Sequence, residues 1–332
     1  MERVFAVKHH GHVIAFVAGT SVLAACGGGG STVSQSGPMG NTPAQQVLTE
    51  TAGNAAQALQ DGRTLRASER TSSGITRDYN ANTAAAAADT TATVMRNDAG
   101  ALTLNVAGQT IDFAPGDLTE DGYGYSQDGA GIWAWSTDSM AEQLDPENGR
   151  DSLVFGYFAN QPGDRGQNGF IVTGTETAAG DLAALPSASY SGWTRIRVAP
   201  QTGFEDFDDA VSELRGDLGL AANFGAGTVF GSVSNLQARL PRNADPTRSW
   251  SDRDGALSLD ETAISGNGFS GSISADSAFT SGVASLDSGS SYSGTFFGTD
   301  AGEVAGGISM SGTGAESNAP FIGWGVFQGD KN

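Results

Sequence analysis

From residue 93 onward the chain repeatedly alternates apolar and polar positions, in short runs separated by glycine-rich turns. That period of two is the signature of half-buried β-strands. The first runs carry Val94 and Met95, then Leu102, Leu104 and Val106, then Ile111 and Phe113, with turns at Asn97-Asp98-Ala99-Gly100 and Gly108-Gln109. Further strands are expected at 122–126, 131–136, 153–159 and 170–175, so residues 90–180 read as one small antiparallel β domain. The remainder, 181–332, is more regular. Strands are expected at 188–198, 214–224, 228–236, 256–264, 268–275, 291–298, 303–310 and 320–327, with tight hairpin turns at 224–228 and 264–268. Eight such segments predict an up-and-down antiparallel barrel, whose closure removes exposed strand edges. Membrane-spanning barrels also use alternating strands of ~10 residues. These strands are rich in Ser and Thr and lack a consistent apolar face, so a water-soluble barrel is expected. The predicted fold class is all-β.

The first 90 residues follow a different pattern. Residues 13–25 form an apolar run behind a partly basic start containing Arg3, Lys8 and three histidines. Such a run is too short for a membrane-spanning helix, which needs ~20 residues, and it has the flanks of a signal peptide. It ends in Leu23-Ala24-Ala25-Cys26, which resembles the lipobox of bacterial lipoproteins. That resemblance implies cleavage after residue 25 and lipidation of Cys26, anchoring the chain in a lipid bilayer. Gly27 in place of an aspartate, by the same resemblance to Gram-negative lipoproteins, favours the outer membrane. Residues 26–89 read as a flexible tether, starting with the Gly/Ser/Pro-rich run to about Pro43. A short amphipathic helix is expected somewhere in 44–70, and the Ala/Thr-rich stretch 83–93 reads as loop.

Composition narrows the function classes. The formal charge is −20, and cleavage before Cys26 leaves 15 basic against 36 acidic residues, a net −21. A surface of that sign repels phosphate backbones, so nucleic acid is excluded as a partner. The chain's three histidines are His9, His10 and His12, and its single cysteine is Cys26. A mature chain therefore has no histidine for a Ser-His-Asp triad, a zinc site or a His-ligated haem. Met39, Met95, Met140 and Met310 are weak grounds for haem, and no cofactor is expected. No acid–base constellation stands out, so no enzymatic activity is expected.

Several runs in the C-terminal block carry a family likeness. Ser189-Tyr190-Ser191-Gly192, residues 220–233 (LAANFGAGTVFGSV), 264–271 (ISGNGFSG) and 292–307 (YSGTFFGTDAGEVAGG) resemble the barrel of transferrin-binding protein B-like surface lipoproteins. The last run is the most specific, with its aromatic-Gly and Ala-Gly-Glu-Val-Ala-Gly-Gly pattern. The resemblance covers 185–332 well and 150–185 weakly. It implies an N-terminal handle domain and a C-terminal eight-stranded barrel, displayed on the outer membrane to capture host iron proteins, haem or other ligands. The chain departs from the transferrin receptors in having one lobe and short loops, which puts transferrin itself in doubt. The expected function is capture of a protein or small-molecule ligand at the cell surface. The competing one is an envelope-organising lipoprotein with no soluble ligand.

Candidate ligand contacts concentrate in 122–135, where Tyr123 and Tyr125 precede a turn and Trp133 and Trp135 follow it. A two-residue Asp128-Gly129 turn sends the tyrosines and tryptophans to opposite faces. A three-residue turn through Ala130 gathers all four on one face, as domain core or as a binding patch. Other constellations carry less. Residues 250–261 match part of a calcium-loop template through Asp252, Asp254, Gly255 and Glu261, but Trp250 occupies the first ligand position. Glu205, Asp206, Asp208 and Asp209 read as a solvated acidic loop. Arg195 and Arg197 alternate with Ile196 and Val198 as on any outward strand, and Glu303 reads as a capping carboxylate at the barrel end.

Overall fold

The computed structural model describes residues 54–135, 139–204, 206–315 and 318–332; Cys26 and the signal segment lie outside them. The chain folds as a two-sheet handle domain followed by a closed barrel. In the handle, a six-residue helix α1 (Ala55–Gln60) is N-capped by Asn54, whose side chain accepts from the Gln57 amide. Ten strands follow: β1 (Thr64–Ala67), β2 (Ser72–Asp78), β3 (Thr83–Ala86), β4 (Ala92–Arg96), β5 (Leu102–Val106), β6 (Gln109–Asp112), β7 (Gly124–Gln127), β8 (Ala130–Ala134), β9 (Ser152–Gln161) and β10 (Arg165–Gly174). They form a four-stranded sheet, β1-β4-β5-β6, and a six-stranded sheet, β3-β2-β10-β9-β8-β7.

Ordered structure thus begins earlier than the sequence pattern indicates. The stretch 54–89, read as tether, contributes α1 and three strands, and residues 83–86 of the Ala/Thr tract pair with β2. Among the described residues of 44–70, the expected helix is α1, and 44–53 lie outside them. The sequence pattern of these strands is weak because two are only four residues long and their inward positions include small side chains such as Ala67 and Ala84.

The two handle sheets enclose one core, built from Leu65, Val94, Leu104, Ile111, Phe113, Ile132, Leu153, Phe155, Tyr157 and Ile171. The opposite face of the six-stranded sheet packs against the barrel. Along β9, Leu153, Phe155 and Tyr157 enter the first core, while Val154 faces the second with Phe170 and Val172 of β10. Strands buried on both faces read as a continuous apolar run, which is what 152–158 shows.

The barrel is built from β11 (Ala188–Pro200), β12 (Ser212–Asn223), β13 (Thr228–Arg239), β15 (Leu257–Ser265), β16 (Gly268–Ala275), β18 (Ser291–Phe297), β19 (Glu303–Gly314) and β20 (Pro320–Lys331). All neighbours pair antiparallel, and β11 closes the ring by pairing with both β12 and β20. The eight expected strands are these eight. Two short additions, β14 (Trp250–Asp252) and β17 (Ala284–Leu286), lie beside β13 and β19. The interior is filled by aromatic and aliphatic side chains, among them Tyr190, Phe269, Tyr292, Phe296 and Phe327. Part of the exterior is apolar too: Ala305 of β19 and Ile322, Trp324 and Val326 of β20 meet Ile75, Val154, Phe170 and Val172 of the handle.

Backbone approach is close at this seam. A Cβ on Gly307 would lie 2.6 Å from the Ser72 carbonyl oxygen, so the Ala305-Gly306-Gly307 run lets β2 settle on β19. Ser73 Oγ donates to the Gly325 carbonyl at 2.5 Å across the same seam.

Candidate functional site: a tryptophan–arginine surface where handle meets barrel

The 122–135 hairpin adopts the two-residue turn. Tyr125 pairs with Ile132 and Gly124 with Trp133, and Gly129 takes a φ of 77°. The four candidate aromatics are therefore separated. Tyr125 packs on Phe113 at 5.9 Å at the rim of the handle core, and Tyr123 is exposed. Trp133 and Trp135 take the other face of the six-stranded sheet, the one turned toward the barrel, because Ile132 and Ala134 occupy the handle core.

On that face a row of rings runs from surface to interior. Phe158 and Trp133 lie 5.9 Å apart, Trp133 and Trp135 5.8 Å, and Trp135 and Phe170 4.9 Å in an edge-on arrangement. Phe170 is fully buried, while Phe158, Trp133 and Trp135 are half-buried. Gly156 makes the row fit: a Cβ there would stand 2.6 Å from Trp133 Nε1 and 2.9 Å from Trp135 Cε3.

The barrel contributes charge to the same place. On β11, Ile196 points into the barrel, so Arg195 and Arg197 point out. Register then aligns Arg195 with Arg215 of β12 and Arg197 with Glu213, while β13 continues each row with Gln237 and Arg239. Both arginines of β11 reach the Trp135 ring, at 5.5 Å and 4.9 Å from its centroid. Across the strands, Trp250 of β14 is approached by Arg215 at 4.2 Å, Arg239 at 5.1 Å and Arg195 at 5.8 Å. Guanidinium over an indole face is a favourable cation–π pairing.

Glu213 is the buried counter-charge. It is 3% exposed and lies 2.7 Å from Arg239, 3.5 Å from Arg248 and 3.8 Å from Arg197. Arg195 has no carboxylate within ion-pair distance among the described residues, and Arg215 spends only its Nε, on Gln237 at 2.8 Å. Burial depresses the Arg195 and Arg197 pKa values, with Glu213 opposing the shift. Three guanidiniums thus share one buried carboxylate, and Arg195 and Arg215 stand beside them, on a chain whose net charge is −20.

The other candidates resolve into structure. Glu303 accepts from the Asp151 amide at 3.0 Å, the Ser152 amide at 3.0 Å and Ser152 Oγ at 2.5 Å, capping the start of β9 from the barrel. Asp151 is crowded by this arrangement: burial first, then the charges of Glu303 and Asp300, push its pKa up to about 6. The calcium-like segment forms β14 and β15 in place of a loop and helix, and Asp252 accepts from Gln237 at 2.7 Å. Asp206 caps a short turn of helix, Asp208 pairs with Arg77 at 3.4 Å and Asp209 with Arg242 at 3.7 Å; Glu205 lies outside the described residues. A polar groove of about 510 Å³ on the handle, lined by Arg66, Asp89, Asn105 and Gln109 among others, contains no aromatic side chain.

Sequence reasoning singled out Trp133 and Trp135 and passed over Arg215, Arg239 and Trp250. Each of these sits alone in its own strand. The alternation of Arg195 and Arg197 was the available signal, and only strand register shows that three further strands continue it.

Comparison with known proteins places the barrel. Residues 185–331 match the family of C-lobe and N-lobe β-barrels of transferrin-binding protein B. Among solved structures, the chain is similar to transferrin-binding protein B of Haemophilus parasuis Hp5, with 14% identity and a TM-score of 0.41 over 79% of this chain and 45% of that one. It is also similar to the isotype 1 protein of serogroup B Neisseria meningitidis, at 16% identity and a TM-score of 0.39 over 79% and 43%. A third similarity is to a structure described as a surface lipoprotein, at 12% identity and a TM-score of 0.35 over 79% and 99%. The chain spans less than half the length of the first two. No curated protein matches it.

Proposed function

We propose, from a C-terminal domain that belongs to the family of transferrin-binding protein B barrels, that this chain is a lipid-anchored surface protein of a Gram-negative outer membrane which binds a protein ligand without chemistry. Cys26 is the anchor in this reading. The ligand surface is the tryptophan–arginine face, and one observation carries it: Trp133 and Trp135 extend the interdomain aromatic row to the surface, where Trp135 meets Arg195 and Arg197 of the barrel. Trp and Arg dominate the energetics of protein interfaces because each combines large contact area with directed polar groups. Carboxylates that could suggest catalysis are committed elsewhere, Glu303 to three donors of the handle and Glu213 to three arginines.

The relatives are named for transferrin, so transferrin is the first probe for the immobilised full chain, and whole serum the second. The expected result is a retained protein whose affinity falls by at least ~10-fold in Trp133→Ala, an interface hot-spot effect, with the thermal midpoint little changed. Absence of any saturable protein ligand, or equal binding by the variant, would overturn the reading and favour an envelope-organising role.

A further inference from the structure

The chemistry of the arginine cluster narrows what its partner presents. Arg195 lies within cation–π distance of two indoles, Trp135 at 5.5 Å and Trp250 at 5.8 Å. Its cross-strand partner is Arg215, which lies over Trp250 at 4.2 Å. Like charges placed directly opposite on one sheet face destabilise the pair. The indoles hold them there by cation–π attraction, but no carboxylate among the described residues lies within ion-pair distance of either one. Cation–π contact with the rings consumes no N–H donor, and the one hydrogen bond from either guanidinium among the described residues is Arg215 Nε to Gln237. What remains is the in-plane fork of N–H donors, which matches the two oxygens of a carboxylate.

The surroundings decide the source of that anion. The cluster is a local positive island on a chain of net charge −20. Opposite charges attract within the screening length of ~8 Å at physiological salt, and beyond it an extended polyanion or an anionic membrane surface would meet the surrounding acidic exterior. A short acidic segment meets only the island. Half-buried Trp133 and Phe158 continue from Trp135, so apolar contact is available beside the charged one. We propose that Arg195 and Arg215, braced by Trp135 and Trp250, form a receptor for the side-chain carboxylates of an acidic polypeptide segment that also carries apolar residues. The proposal deepens the protein-binding reading and rests on it for the class of partner.

The test uses the full chain and a fluorescein-labelled peptide of alternating glutamate and leucine. Controls are the same peptide with glutamine for glutamate, inorganic phosphate, and phosphatidylglycerol vesicles. Saturable binding of the glutamate peptide is expected, weakened by salt and lost by ~10-fold or more in Arg195→Gln, on the scale of a hydrogen bond to a charged group. Arg215→Gln provides the second variant should the first fail to fold, and Arg195→Lys should not restore binding because an ammonium lacks the fork. Equal affinity for the glutamine peptide would overturn the carboxylate assignment. Binding of vesicles or phosphate in preference to the peptide, through the same arginines, would overturn the polypeptide source. If the glutamate peptide fails while a Trp133-dependent protein is still captured from serum, the carboxylate receptor falls and the protein-binding reading stands. If the peptide binds and no serum protein does, the receptor stands without that reading.

Discussion

At the scale of the residue, the seam between handle and barrel is set by a few polar groups whose roles follow from where strand register puts them. Glu303 satisfies the two amides and the hydroxyl at the start of β9, an interaction that spans 151 residues of sequence. Its cost falls on Asp151, whose carboxyl is held near this charge in a partly buried position with its pKa raised from 3.8 to about 6. A raised folded-state value means that the folded protein keeps a proton the unfolded chain has already released. The resulting stability is fully present below pH 3.8 and is lost as the pH rises through about 6. Asp151→Asn removes this dependence. The expected result is a variant that matches the wild type in thermal midpoint near pH 4 and exceeds it by a few degrees at pH 7; parallel profiles for the two proteins would refute the crowding at Asp151. Glu303 was legible as a cap from its sequence motif. Its partners were not, because nothing local to Ser152 signals a carboxylate arriving from another domain.

At the scale of the element, legibility tracked strand length and the contrast of the pattern. Barrel strands run to 13 residues and are bounded by glycine turns such as Gly227 and Gly266, both at positive φ, so their existence and order could be read directly. Handle strands β1 and β3 have four residues each and offer only one or two inward apolar positions, too few to show a period. The hairpin at 124–134 was readable as a hairpin, but one residue of turn length decides which face every ring takes, and propensity does not settle that. The early strands are integral to the fold. Strand β2 pairs with β10 along seven residues, and Ile75 and Leu65 are completely buried in two different cores. Burying a side chain of that size contributes ~1.5–3 kcal/mol. A chain beginning at residue 54 should therefore unfold cooperatively, whereas one beginning at residue 90 should lose several kcal/mol and bind a hydrophobic dye. Indistinguishable melting curves for the two would show that β1–β3 are dispensable.

At the scale of the whole molecule, three stacked layers connect the sheet pairings to the proposed ligand surface. The handle core lies between its two sheets, a second core joins handle to barrel exterior, and the barrel encloses the third. The second core makes the proposed ligand surface a composite. Trp133 and Trp135 come from the handle, and Trp250 and the arginines from the barrel, so neither domain alone could present it. In the proposed function, placement of this surface outside the cell depends on Cys26 and the lipobox-like Leu23-Ala24-Ala25 that precedes it. A protein that captures external protein ligands must itself be external, and protease shaving of intact cells tests that most directly. The account predicts that the wild-type chain is digested on intact cells with periplasmic markers untouched, and that Cys26→Ser leaves the membrane fraction and escapes digestion. A wild-type chain that survives protease on intact cells and is cleaved only after the outer membrane is opened would contradict it.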